Sequence, residues 1–266
     1  MDNQQQDGLL KPGQNDEQAI LRALVARLRI RDAETCEHSE RVVRLSLLLG
    51  REFGLNSRKI KSLEYGSLLH DIGKVGVPDS ILRKPGRLTS LEWDKMREHP
   101  LLGVQILSGI EFLRGASLVV GQHHERWDGT GYPFGLRGDE IDRNARIFAV
   151  ADAFDAMTSD RVYHRRKSLE AAVTELRRCA GQQFDPEVVE AFNDSAASDY
   201  QHMGPNTGIL RKKTLKQLAT LNNPFIQHGK TRLNSVALRG HPSSPGKQPE
   251  LHCRLSLASR LLQSPD

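Results

Sequence analysis

Apolar residues recur every three or four positions along most of the first 195 residues, which is the spacing that puts them on one face of a helix. In "QAILRALVARLRIRDAE" this groups Ile20, Leu21, Leu24, Val25 and Leu28. "SERVVRLSLLLGREFG" repeats the pattern and stops at Gly54, a residue suited to a helix C-terminal cap. "SRKIKSLEYGSLLHD" predicts a third helix with Leu63, Ser67 and His70 in register. A fourth is predicted over "TSLEWDKMREHPLLGVQIL", opened by a capping box in Thr89-Ser90-Leu91-Glu92. Further helices are expected near 112–125, 141–158, 168–180 and 186–194, the last with Asp185 as cap and Pro186 in its first turn.

Alternating runs of β-branched residues are missing, so the expected fold is an all-α bundle. The expected domains are a flexible lead-in over 1–16, a folded unit over 17–195 and a weakly ordered basic tail over 196–266. Charge follows the same division. From Ala196 onward ten Lys/Arg face three Asp/Glu, a balance of +7, which leaves −2 for the first 195 residues of a chain whose total is +5. The basic character thus belongs to the tail, which lacks a nucleic-acid motif, so nucleic acid is not the expected partner. Three well-separated cysteines, Cys36, Cys179 and Cys253, make neither a disulfide framework nor a zinc ribbon. No apolar run approaches the roughly 20 residues of a membrane span, and the N-terminus is unlike a secretion signal, so a cytoplasmic protein is expected.

Side chains able to bind metal fall on separate predicted helix segments. Glu34 and His38 lie four apart on one helix face. His70-Asp71 ends the third helix, His99 lies inside the fourth, and His123-His124 ends the fifth. Asp152 sits mid-helix among Ile147, Phe148, Ala151 and Phe154, where an unpaired carboxylate would cost several kcal/mol, so a cation or strong donor is expected beside it. Five histidines and three carboxylates exceed the four ligands of one zinc ion. They suit a pair of divalent ions roughly 3.5–4 Å apart, with Asp71 as the candidate bridge. Adjacent residues on a helix diverge by about 100°, so His123 and His124 need a helix end, which the following Asp128-Gly129 turn supplies. Such a centre suits hydrolysis of a phosphoester by metal-activated water. Lys74 and Arg161 are candidate phosphate contacts, although an isolated basic residue is more often an ordinary surface cation.

Three stretches, "LLHDIGKVGVPDSIL", "HHERWDGTGYP" and "VADAFDAMTSDR", resemble in this order the HD-GYP domain, a subgroup of the HD phosphohydrolase superfamily. The resemblance spans about residues 20–194. It implies an HD-superfamily helical bundle with a metal centre between helices. The implied activity is a phosphodiesterase that opens cyclic di-GMP to pGpG, and onward to GMP, by in-line attack of a metal-bridging hydroxide. Carried over by position, the metal ligands would be His38, His70, Asp71, His99, His123, His124 and Asp152, with Glu34 as the extra carboxylate of members that hold a third ion. Two or three divalent ions, iron or manganese, are implied. His70, Asp71 and Lys74 would carry catalysis, while Lys74, Tyr132, Arg161 and His164 would meet substrate. Gly131, Tyr132 and Pro133 form the namesake loop, expected to border the site and to offer Tyr132 for guanine stacking or for a protein partner such as a diguanylate cyclase domain. Glu125, next to the histidines, is expected to support the site or face solvent rather than bind metal. Dimerisation through the first helix is a further expectation.

The chain departs from the pattern at three places: Cys36 where glycine is usual, Val162 where proline is usual, and His164 where a basic residue is usual. A histidine of ordinary pKa near 6.5 holds phosphate weakly at neutral pH. These changes keep two alternatives open: a catalytically silent cyclic-dinucleotide receptor or docking module, and a hydrolase of another cyclic dinucleotide or nucleotide.

Overall fold

In the computed structural model, which describes residues 13–31, 35–159 and 166–192, every named element is helical. The order is α1 (Gln14–Arg31), α2 (Thr35–Glu52), α3 (Ser57–Leu69), a 3-10 turn (Ile72–Gly76), α4 (Asp79–Leu82), α5 (Ser90–Met96) and α6 (His99–Leu107). A second 3-10 turn (Glu111–Leu113), α7 (Arg114–Gln122), a third (Gly138–Glu140), α8 (Arg143–Thr158), α9 (Leu169–Arg178) and α10 (Pro186–Ala191) complete it. The all-α expectation holds. Its boundaries follow local chemistry: Gly54, at φ 61°, ends α2, the Thr89–Glu92 capping box opens α5, and Asp185 caps α10 ahead of Pro186.

One element differs from expectation. The single helix predicted over 90–107 is two, α5 and α6, broken at Arg97-Glu98. Pro100 cannot donate a backbone hydrogen bond, so it belongs in the first turn of a new helix. His99 is consequently a first-turn residue of α6 and not an interior one. The buried Cys179 is disulfide-bonded.

Helix α8 is the central element, with Ile147, Phe148, Val150, Ala151 and Phe154 fully buried. It packs with α2, α9 and α10 around one apolar cluster that includes Leu45, Leu49, Leu176 and Phe192. A second cluster joins α1, through Leu21, Val25 and Leu28, to α2, α3, α6 and α7. Between α3 and α7 the packing is close: a Cβ on Gly66 would lie 2.6 Å from that of Val119. Gly66 and Val119 each precede a histidine by four residues, so this contact brings His70 and His123 together.

Glycine has a sharper role at position 73. A Cβ there would sit 1.8 Å from the His99 carbonyl oxygen and 2.5 Å from the Gly103 amide nitrogen, so only glycine lets the turn after Asp71 seat against the start of α6. Both obstacles are backbone and cannot swing aside. Gly73→Ala is therefore expected to destabilise the protein by about 3 kcal/mol or more, at or beyond the top of the usual overpacking range. Urea unfolding checks this, and a loss below about 0.5 kcal/mol would contradict the packing described.

Candidate metal centre

Two groups of ligand-type side chains come together beneath the ends of these helices. His99, His123 and His124 form one; His38, His70 and Asp152 form the other, and within each group the ligand-type atoms lie within 4.8 Å of one another. Asp71 stands between them. Its Oδ2 is 3.2 Å from His70 Nε2, and its Oδ1 is 3.5 Å from His99 Nε2. Seven side chains distant in sequence thus share one buried cleft, with His70, Asp71, His99 and His123 each less than a tenth exposed.

The backbone fixes which ring nitrogen faces the centre. His70, His99 and His123 each place Nδ1 within 2.8–2.9 Å of the carbonyl oxygen three residues earlier, on Ser67, Met96 and Val120. A neutral imidazole that donates from Nδ1 carries a bare lone pair at Nε2. His99 and His123 bring those Nε2 atoms to 3.2 Å of each other. Two lone pairs so close repel, and a cation between them removes the conflict. The donor set, imidazole nitrogens with carboxylate oxygens, fits divalent ions of borderline character.

Electrostatics favours the same occupant. Burial, reinforced by the neighbouring imidazoles, pushes His99 down to about 4 and His123 to about 3, and holds His124 well below its ordinary value. These rings are neutral, the state that ligates metal. Burial alone would lift the Asp71 pKa, but Lys74, His70 and His99 outweigh it and hold the carboxyl well below its usual range. His38 goes the other way. Burial opposes its charge, yet hydrogen bonds with Asp152 and Asp155 raise it to about 9.

Lys74 Nζ lies 2.9 Å from Asp71 Oδ2, at the edge of the candidate bridge. Tyr132 does not turn its ring outward as expected. The ring stacks on His124, with centroids 4.7 Å apart at 24°, and Arg97 sits 5.6 Å from its centroid. The Tyr132 hydroxyl is buried and has no hydrogen-bond partner among the described residues; burial and the Asp71 charge keep it protonated. Glu34, Arg161 and His164 lie outside the described residues, as does Val162, and the side chain of Cys36 is likewise outside them.

The turn after His124 is built tightly. A Cβ on Gly131 would approach the Arg126 nitrogen to 2.4 Å, and Gly129 sits at φ 81°. Asp128 accepts from the Thr130 amide at 3.0 Å. The buried Glu125 accepts the amide hydrogens of Phe134 at 2.7 Å and Leu136 at 3.1 Å, tying the segment after Pro133 to the end of α7. Glu125 is thus a loop anchor, as its expected supporting role allows.

Sequence reasoning missed one residue, Asp155. It is completely buried, one turn beyond Asp152 on α8, and contacts His38 at 2.7 Å. The signal was present in "ADAFDAM", where two aspartates at i, i+3 share a face that is otherwise apolar.

A family model described as "HD domain" matches residues 23–188, more than half of the chain. The chain belongs to the HD domain family. Among curated relatives, a cyclic di-GMP phosphodiesterase of Thermotoga maritima is 46% identical over 164 residues, covering 61% of this chain and 45% of that protein. The 3'3'-cGAMP-specific phosphodiesterase 2 of Vibrio cholerae is 41% identical over 162 residues, covering 60% and 31%. The chain therefore spans at most about half the length of these relatives. A crystal structure of a cyclic GMP-AMP specific phosphodiesterase from V. cholerae matches with a TM-score of 0.53 at 17% identity, covering 77% of this chain and 53% of that one, a likeness of fold. The recognition made from the three motifs agrees with these relatives. No helix among the described residues is long and apolar enough to cross a membrane.

Two predictions come from this geometry. Between pH 6.5 and 5 the unfolded chain protonates histidines that the folded protein keeps neutral, so metal-free protein loses stability on acidification. His99 and His123 each contribute a slope of about 1.4 kcal/mol per pH unit once fully engaged. Urea unfolding of chelator-treated protein checks this, and stability that is flat or rises on acidification would contradict neutral buried rings. Glu125→Ala is expected to speed amide hydrogen exchange at Phe134 and Leu136 about tenfold or more, the effect of losing a charged acceptor, while α3 amides stay unchanged. Unaltered exchange at both amides would remove Glu125 as the loop's anchor.

Proposed function

We propose that this chain is a metal-dependent phosphodiesterase acting on cyclic di-GMP, with pGpG as first product and GMP after further hydrolysis. One observation carries the reading: the two oxygens of Asp71 face two separate groups of metal-binding side chains. The names of the relatives, cyclic di-GMP and 3'3'-cGAMP phosphodiesterases, support the substrate class. His38, His70 and Asp152 would hold one divalent ion, His99, His123 and His124 the other, and Asp71 both; iron or manganese suits these donors. Glu34 is proposed as ligand to a third. When bound, such ions supply Lewis acidity at a phosphoryl oxygen and lower the pKa of water from 15.7 to about 7.

The chain's own groups do the positioning. Lys74, already beside Asp71, places an ammonium where a non-bridging phosphate oxygen approaches. The Tyr132 hydroxyl, buried and unpartnered, can donate to the same phosphate or to a leaving oxygen. Its stacking on His124 supports a role in the wall of the site in place of guanine stacking. Arg161 and His164 remain proposed phosphate contacts. The loop of Gly131, Tyr132 and Pro133 is proposed as a docking edge for a protein partner such as a diguanylate cyclase domain. A homodimer through α1 and a cytoplasmic setting complete the proposal.

Protein purified without oxygen, loaded with Fe(II) or Mn(II), and incubated with cyclic di-GMP or 3'3'-cGAMP tests this by chromatography. Cyclic di-GMP is expected to disappear with pGpG or GMP appearing. Asp71→Ala should lose more than the roughly 100-fold that removal of a ligand's outer partner brings. Preferential loss of 3'3'-cGAMP would reassign the substrate. Tight nucleotide binding without turnover would make the protein a receptor.

A further inference from the structure

His38 is held differently from the other histidines of the site. His70, His99 and His123 each pass their Nδ1 hydrogen to a backbone carbonyl. His38 passes its own to a carboxylate: Nδ1 is 2.7 Å from Asp155 Oδ2, while Nε2 is 3.0 Å from Asp152 Oδ1. Asp155 is in turn clamped. Arg41 donates from Nε to Oδ1 at 2.6 Å and from Nη2 to Oδ2 at 3.0 Å, and Ser159 Oγ donates to Oδ1 at 3.2 Å. Asp155 is fully buried, so the fold carries this carboxylate at a desolvation cost that these donors help to offset.

Asp152 and Asp155 therefore flank one imidazole from the same helix, and the helix spacing explains how. Residues three apart on α8 project on the same side, one above the other, so the ring fits between two carboxylates and each ring nitrogen meets one. His38 comes from α2, and so does Arg41, three positions later on the same face. The contact is thus a two-helix lock: α2 supplies the ring and the guanidinium, α8 supplies both carboxylates.

We infer that Asp155, braced by Arg41, is a positioning residue that fixes the tautomer and orientation of His38 and strengthens it as a ligand. A carboxylate accepting from Nδ1 orients a ligating imidazole and increases its donation from Nε2 more than a neutral carbonyl does. The consequence is asymmetry. The group of His38, His70 and Asp152 carries the charge of Asp152 and, through His38, that of Asp155, whereas His99, His123 and His124 are neutral. Removing the Asp155 charge should therefore weaken the first group selectively. The inference rests on the two-cation reading of the site, yet its test needs no hydrolysis.

Chelator-stripped protein of the whole 266-residue chain is titrated with Co(II), and calorimetry and the visible Co(II) absorption bands follow each equivalent. Wild type is expected to bind two equivalents. Asp155→Asn should weaken one of them by about 10- to 100-fold and shift its band, leaving the other within about twofold. In a His38→Ala background the same substitution should add less than about a twofold change, because Asp155 acts through that ring. Arg41→Gln, which keeps the carboxylate, should give a smaller loss at the same equivalent, and it decides the matter if Asp155→Asn does not fold. Equal weakening of both equivalents, or an undiminished effect without His38, would make Asp155 a general structural brace and overturn the inference. Wild-type protein that takes up no Co(II) would sink the metal-centre reading itself, a result distinct from normal uptake unaffected at Asp155.

Discussion

The structure turns on the conflict that Asp71 and the buried imidazoles create unless positive charge lies among them. His99 and His123 aim Nε2 lone pairs at each other, and Asp71 places a carboxylate within reach of both histidine groups. Burial denies the imidazoles the easy remedy of protonation, since it drives His99, His123 and His124 toward the neutral form. A site that is buried, neutral in the rings of His99, His123 and His124 and anionic at Asp71 suits a divalent cation shared by nitrogen and oxygen donors.

Much of the fold exists to hold that conflict in place. The close contact of Gly66 with Val119 aligns the ends of α3 and α7, and Gly73 lets the turn after Asp71 rest on the first turn of α6. Both are close approaches of one backbone to a neighbouring helix, so they set the positions of the histidines that follow. The carbonyls of Ser67, Met96 and Val120 then set the ring faces. On the other side of the cleft, α8 is buried along most of its length and contributes Asp152 and Asp155 to α2. The candidate metal centre is therefore a junction of five segments, and its geometry rests on apolar packing several residues away.

The helical class was legible because periodicity is a property of the local chain, and so were most caps, such as the Thr89–Glu92 box and Gly54. The candidate ligands that the structure brings together, all but Glu34, were legible for another reason: histidines and carboxylates are conspicuous against an apolar helical background. Three features were not. The break before His99 was masked by a continuous apolar pattern on both sides of Pro100. Asp155 read as one more polar residue until α2 brought His38 and Arg41 against it, a tertiary contact over more than a hundred residues. The inward turn of Tyr132 depends on Gly131 approaching Glu125 and Arg126, which no local rule announces.

The most direct test of a shared two-cation centre is the distance between the ions. X-ray absorption fine structure on Fe(II)- or Mn(II)-loaded protein should contain a metal–metal vector at about 3.5–4 Å, with mixed nitrogen and oxygen ligands. Fully loaded protein whose spectrum fits isolated ions, with no such vector, would contradict the bridging role given to Asp71 and the account built on it.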